Sequence, residues 1–237
     1  MSEGQHIVSA FDRDLEGLQA TVMKMGGLVE SAISDAARSL ESRDEELAQS
    51  VRDRDKRIDA LEEQVNDEAA RIVALRAPIA RDMRLVLSVI KIGANLERIG
   101  DYAKNLAKRT GVLLTLPPIE GSAQSVRRMA TEVEKMLHDV LDAYIQNDAE
   151  LARSVRARDE DVDQMYNAIF REFLTFMMED PRNITACMHL HFIAKNIERM
   201  GDHVTSIADQ VIYTVEGAIP EDDRPKGDMT SIERIEG

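Results

Sequence analysis

The chain contains no tryptophan, 4% aromatic residues and a single cysteine, Cys187. With no second cysteine an internal disulfide is excluded, and a reducing, cytoplasmic setting is expected. No apolar run approaches the roughly 20 residues that a membrane span needs. The N-terminus is polar and lacks a compact apolar stretch before a small-residue cleavage site, so no signal peptide is expected. Catalytic signatures are also missing: there is no Walker-type phosphate loop, no Gly-rich dinucleotide turn and no nucleophile–base pair. The five histidines lack metalloprotease spacing, and His189 and His191 fall on opposite sides of a helix and cannot join one site. Basic residues are in deficit, 30 Lys and Arg against 44 Asp and Glu for a net charge of −14, which argues against nucleic acid and against an anionic membrane surface as partners.

What the chain does have is a duplication. N-L-E-R-I-G-D at Asn95–Asp101 returns as N-I-E-R-M-G-D at Asn196–Asp202. Upstream, D-E-E-L-A-Q-S-V-R-D-R-D-K-R-I-D at Asp44–Asp59 matches D-A-E-L-A-R-S-V-R-A-R-D-E-D-V-D at Asp148–Asp163 without a gap. The chain is therefore two copies of one unit, and internal repeats of this kind precede any reading of the fold. Each copy carries two acidic pairs spaced i,i+4: Asp55 with Asp59 and Glu97 with Asp101, then Asp159 with Asp163 and Glu198 with Asp202. On a helix such a pair stacks two like charges on one face, at about 0.2–0.5 kcal/mol when exposed. Repetition of that cost at matching positions points to a cation.

Abundant Ala, Leu, Glu, Arg, Asp and Met favour helices over sheets. A first amphipathic pattern runs from about Ile7 to Leu40, with Leu15, Leu18, Val22, Met25, Val29 and Ile33 on one face. Ser42 to Asp44 suits the cap of a second helix, which ends near Arg76 because Pro78 disfavours helical geometry at Ala77. A third runs from about Pro78 to Arg109, with Gly111 as its C-terminal cap. Residues 113–121 form a linker rich in Pro and Gly. Helices at about 123–146, 148–178 and 183–215 repeat the plan. The prediction is an all-α chain of two tandem three-helix units, 1–112 and 122–217, followed by an acidic tail, 218–237, that reads as disordered.

At about 100° per residue, Glu97 and Asp101 continue a line through Val86, Ile90 and Ala94, and Asn105 extends it as a further oxygen donor. Glu198 and Asp202 lie in line with Cys187 and His191. There Lys195 stands in place of Ala94 and neutralises part of the charge. Gly93 and Gly100 lie mid-helix at about 1 kcal/mol each relative to Ala, which suggests close approach by a neighbouring helix or a ligand. Oxygen-only donor sets suit hard or borderline cations such as Mg, Mn or Fe. A single acidic pair is more often a solvated face, and Asp55 and Asp59, beside Arg54, Lys56 and Arg57, read that way most readily. The Glu–Asp pairs on the stripes are the stronger ligand candidates.

These residues carry a family resemblance. From about Phe11 to Val215 the chain resembles the PhoU family of phosphate-transport accessory proteins. The E-R-[IM]-G-D phrases support it, as do P-I-A-R-D-M-R at Pro78–Arg84, where Met83 replaces the usual Leu, and M-M-E-D-P-R-N-I-T at Met177–Thr185. The resemblance implies two three-helix bundles related by pseudo-twofold symmetry. It also implies a cytoplasmic negative regulator of the phosphate-starvation response that couples the ATPase subunit of the phosphate ABC transporter to a sensor histidine kinase. Its acidic motifs would hold multinuclear clusters of divalent or trivalent metal (Mn, Mg, Fe or Zn), falling on Glu97, Asp101, Glu198, Asp202, Asp55, Asp59, Asp159 and Asp163. Asn105 matches the Asn that often follows the first motif, and Ser206 stands at the equivalent place in the second. Arg182 matches an Arg at the start of the last helix, where it either contacts a partner or pairs with Asp180. Exposed Met and Leu positions suit the homodimer common in the family. A carboxylate-bridged di-metal enzyme is the rival, but that class expects Glu-x-x-His on two helices, and here the third residue on is Gly100 or Gly201. A third alternative is an adaptor whose acidic pairs hold no metal.

Overall fold

The computed structural model describes residues 3–220. Six long helices follow one another: α1 Glu3–Ser42, α2 Glu45–Arg76, α3 Arg81–Leu113, α4 Ser122–Gln146, α5 Ala149–Glu179 and α6 Ile184–Glu216, with a short 3-10 turn at Pro181–Asn183 leading into α6. No strand occurs among the described residues, and no helix among them is long and apolar enough to cross a membrane. The acidic tail from residue 221 onward lies outside the described residues.

The duplication is visible down to the turns. Asp44 caps α2 by accepting the Leu47 N–H at 2.9 Å, and Asp148 caps α5 by accepting from Glu150 and Leu151 at 3.0 Å. The residue before each cap, Arg43 or Asn147, takes a positive φ, and each capping Asp returns its own N–H to the end of the previous helix, to Ser39 or Ala143, at 2.9 Å. One sequence difference from expectation concerns Gly111. α3 runs through it to Leu113 and ends on Leu114 in ordinary right-handed geometry. A side chain at 111 would stand 3.3 Å from the Glu45 carboxylate, so the glycine admits a neighbour and does not cap the helix. The connection between units is correspondingly short, residues 114–121.

Each unit packs its three helices on one another, and the units then join like to like: α1 lies on α4 and α3 on α6. Both seams are antiparallel. Across α3 and α6, Arg109 meets His189 at 3.3 Å, Asn95 meets His203 at 2.8 Å, and Arg84 lies against Gly217. Across α1 and α4, Glu30 meets His138 at 3.2 Å while Arg127 donates to the Ser34 carbonyl at 2.6 Å. Equivalent helices meeting head to tail are what a twofold relation between two copies produces. One buried apolar cluster runs through both units, from Leu18, Val22 and Met25 of α1 to Ile207, Val211 and Ile212 of α6.

That continuity bears on the independence of the units. Residues 1–112 and 122–217 expressed separately should each keep helical circular dichroism, because each retains its own three-helix core. Each should also bind dyes specific for exposed apolar surface, which the seam would otherwise cover, and mixing the halves should quench that binding in a one-to-one complex. A half that is a random coil would show that the units fold only as one domain.

Candidate functional site

The N-L-E-R-I-G-D phrase divides its residues between core and edge. Leu96, Ile99 and Gly100 are buried, Arg98 is exposed, and Glu97 and Asp101 are half-buried. The line drawn through α3 therefore leaves the core progressively. Four residues of helix turn the chain by about 400°, so each i,i+4 step drifts by about 40°. Val86 is buried, Ile90 half-buried and Ala94 exposed. Glu97, three residues on from Ala94, regains the core side, while Asp101 lies farther round and Asn105 is exposed, with no hydrogen bond from it to the carboxylates among the described residues. The same drift in α6 leaves Cys187 and Glu198 buried and His191, Lys195, Asp202 and Ser206 half-buried.

The carboxylates of α2 and α5 face these edges. Asp55, whose basic neighbours suggested a solvated face, is 4% exposed. It sits beneath Gly100, where an added Cβ would stand 3.0 Å from Ile58 Cδ1 and 3.9 Å from Asp55 Oδ1. Asp159 and Asp163 are buried in the second unit, and a Cβ at Gly201 would lie 3.3 Å from Asp159 Oδ1. The glycine of each phrase thus opens the space through which the second helix brings its carboxylate to the third, as the mid-helix cost suggested.

In the first unit Asp59 and Glu97 feel the charge of the neighbouring carboxylates. Burial raises the Asp59 pKa, with Asp55 and Asp101 adding to it and Lys104 opposing. Burial likewise raises the Glu97 pKa, and the neighbouring charge of Asp101 adds to it. Burial dominates at Glu198 too, where Lys195 pulls the value down and Asp202 and Asp163 push it up. The Glu198 Oε2 atom is buried without a hydrogen-bond partner. Each cluster contains one lysine. Lys104 Nζ lies 2.5 Å from Asp55 Oδ2 and 3.3 Å from Asp101 Oδ1, bridging α2 to α3. Those contacts, above all the hydrogen bond to Asp55, raise its pKa. Lys195 Nζ lies 3.0 Å from Glu198 Oε1 and 4.8 Å from the centre of the Tyr166 ring. In the sequence Lys195 stands out as the replacement of Ala94, whereas Lys104 is marked only by its i+3 spacing from Asp101.

The two phrases meet at the pseudo-twofold axis. Tyr102 and His203 each follow the Asp of their phrase, and their rings meet tilted, with centroids 5.7 Å apart. His203 also meets Asn95, the first residue of the opposite phrase, and burial lowers its pKa. It is therefore part of the seam between the units. Elsewhere, His191 packs on Tyr166 and Phe170. Arg182 is exposed and held by Asp180, which accepts its backbone N–H at 2.9 Å and its Nη2 at 2.7 Å.

As the side chains lie, no group of three or more His, Cys, Asp or Glu among the described residues is drawn together into metal-holding geometry. The donor chemistry nevertheless fits a hard cation: hard oxygen ligands, an ammonium standing between Asp55 and Asp101, a buried Glu198 oxygen with no hydrogen bond, and a gap over Asp159 that a Cβ at 201 would crowd. Glu-x-x-His ligation is absent from both phrases.

A family model described as PhoU domain matches this chain twice, over residues 22–110 and 126–211. A phosphate-specific transport system accessory protein PhoU homolog from Rhizobium meliloti is 45% identical over 226 residues, 95% of each chain. Among solved structures, PhoU from Pseudomonas aeruginosa superposes with a TM-score of 0.85 at 40% identity, covering 88% of this chain and 100% of its own. The phosphate transport system regulatory protein PhoU from Streptococcus pneumoniae gives 0.83 at 28% identity, covering 89% and 99%.

Proposed function

Because the chain belongs to the PhoU family, we propose that it is a metal-binding cytoplasmic adaptor of the phosphate-specific transport system and a negative regulator of the phosphate-starvation response. It couples the transporter's ATPase subunit to a sensor histidine kinase and modulates phosphate uptake. The observation that carries the accessory role is likeness along nearly the whole of both chains to relatives named as accessory proteins, none of those named being an enzyme. Support for the metal comes from the duplicated acidic faces: Asp55, Asp59, Glu97 and Asp101 in one unit, and Asp159, Asp163, Glu198 and Asp202 in the other. A divalent or trivalent cation bound there would neutralise the crowded charge. The chain's own part is to hold α2 against α3 and α5 against α6 through the glycine gaps, so that the carboxylates share one space. Asn105, exposed one turn beyond, would enter as a ligand only on a surface-facing cluster.

The other parts of the reading rest on exposed groups. Arg182 is exposed although paired with Asp180, and would reach the kinase by exchanging that carboxylate for one of the partner's. Exposed Ile79 and Leu87 beside the α2–α3 turn, and Met178, Ile184 and Met188 beside the α5–α6 turn, offer apolar contacts for a homodimer. Because the seams are antiparallel, these two turns lie at opposite ends of the protein.

Metal analysis of the purified full chain tests the metal reading. Protein exposed to Mn, Mg, Fe or Zn and then desalted should carry metal, and Glu97→Ala combined with Asp101→Ala should remove only the first unit's share. Equal metal content in variant and wild type would eliminate the first-unit site.

A further inference from the structure

The two units break their symmetry at the acidic clusters, and they do so with cations. Lys104 corresponds to Thr205 in the second unit, whose hydroxyl donates to the Asp202 carbonyl at 2.8 Å. Lys195 corresponds to Ala94 in the first. Neither lysine has a twin, yet each cluster has one, and the two occupy different places. Lys104 stands between helices, on Asp55 of α2 and Asp101 of α3. Lys195 reaches one oxygen of Glu198 on its own helix and lies over the Tyr166 ring of α5, while the other oxygen of that 7% exposed Glu198 is buried and without a hydrogen bond.

We propose that Lys104 and Lys195 are tethered counter-ions that hold the acidic clusters together without metal, that Lys104 must withdraw before a cation is bound in the first unit, and that this makes the two sites unequal. The proposal rests on the metal-binding reading and adds its regulation. An ammonium and a metal ion cannot share the oxygens of Asp55 and Asp101, so occupancy of the first unit requires the Lys104 bridge to open. This also accounts for carboxylates that influence one another without forming a ready metal centre: they are arranged around a lysine. In the second unit the Glu198 oxygen that has no hydrogen bond offers a cation a ligand without first displacing Lys195. The second unit therefore fills at lower metal concentration than the first.

Removal of one unit charge from beside the ligands should tighten binding by about tenfold, a discounted value for partly solvated charges. The experiment uses chelator-treated full chain titrated with Mn²⁺ alone by calorimetry, with thermal melting of the chelated protein as a metal-free readout. To read the first unit, Lys104→Met is compared with its parent in a background of Glu198→Ala and Asp202→Ala. To read the second, Lys195→Met is compared in a background of Glu97→Ala and Asp101→Ala. Expected are tighter Mn²⁺ binding by each Met variant in its own unit and a lower melting temperature of each chelated variant, with Lys104→Arg restoring the melting temperature. If Lys104→Met is too unstable to titrate, the Lys195→Met comparison decides. Mn²⁺ binding by the parent with unchanged affinity in the Met variants would overturn the proposal alone. No Mn²⁺ binding by the wild type or by any variant would overturn the metal reading and the proposal with it.

Discussion

Cells lacking this chain are expected to express phosphate-starvation genes in abundant phosphate. Under the proposed adaptor role, loss of the chain removes the connection through which the kinase is held inactive, and expression of those genes should rise to the level of starved wild-type cells. A starvation-promoter reporter measured in high phosphate reads it directly, with the wild-type chain supplied in trans as the control that silences it again. A silent reporter in the deletion strain would refute negative regulation while leaving the fold and family untouched.

A second large effect concerns the phrase N-L-E-R-I-G-D itself. Leu96 is 0% exposed, so Leu96→Ala should cost about 2–5 kcal/mol of stability, through lost burial and an unfilled cavity. Two positions on, Arg98 is 62% exposed and lies 3.7 Å from Glu97 and 3.9 Å from Asp101, and Arg98→Ala should change stability by no more than about 0.5 kcal/mol. Urea unfolding of the two variants under chelating conditions measures both. Similar losses at the two positions would mean that the phrase does not divide its residues between core and edge.

The six helices could be read from the sequence because their ends are written in local chemistry: capping aspartates at 44 and 148, Pro78 after the second helix, and Asp180–Pro181 before the last. Gly111 misled because glycine serves close approach as well as capping, and only the position of Glu45 distinguishes them. At the site, periodicity placed Glu97 and Glu198 on core-side stripes, yet a straight line of i,i+4 steps ignores the drift that leaves Ala94 and Asn105 exposed. Asp55 was harder to read. Its flanking Arg54, Lys56 and Arg57 occupy other faces of the helix, and its burial depends on a glycine 45 positions later in the chain. The ring contact of Tyr102 with His203 and the like-to-like seams depend on the packing of one unit on the other, which no local pattern encodes.

The central claim is that the chain joins a transporter ATPase to a sensor kinase. Its most direct test is affinity capture of the tagged full chain from cells grown in abundant phosphate and from starved cells, with the captured proteins quantified by mass spectrometry. The account predicts both partners with the wild-type chain in abundant phosphate, and selective loss of the kinase when Arg182 is replaced by Glu. Capture of neither the ATPase nor the kinase in either condition would contradict it.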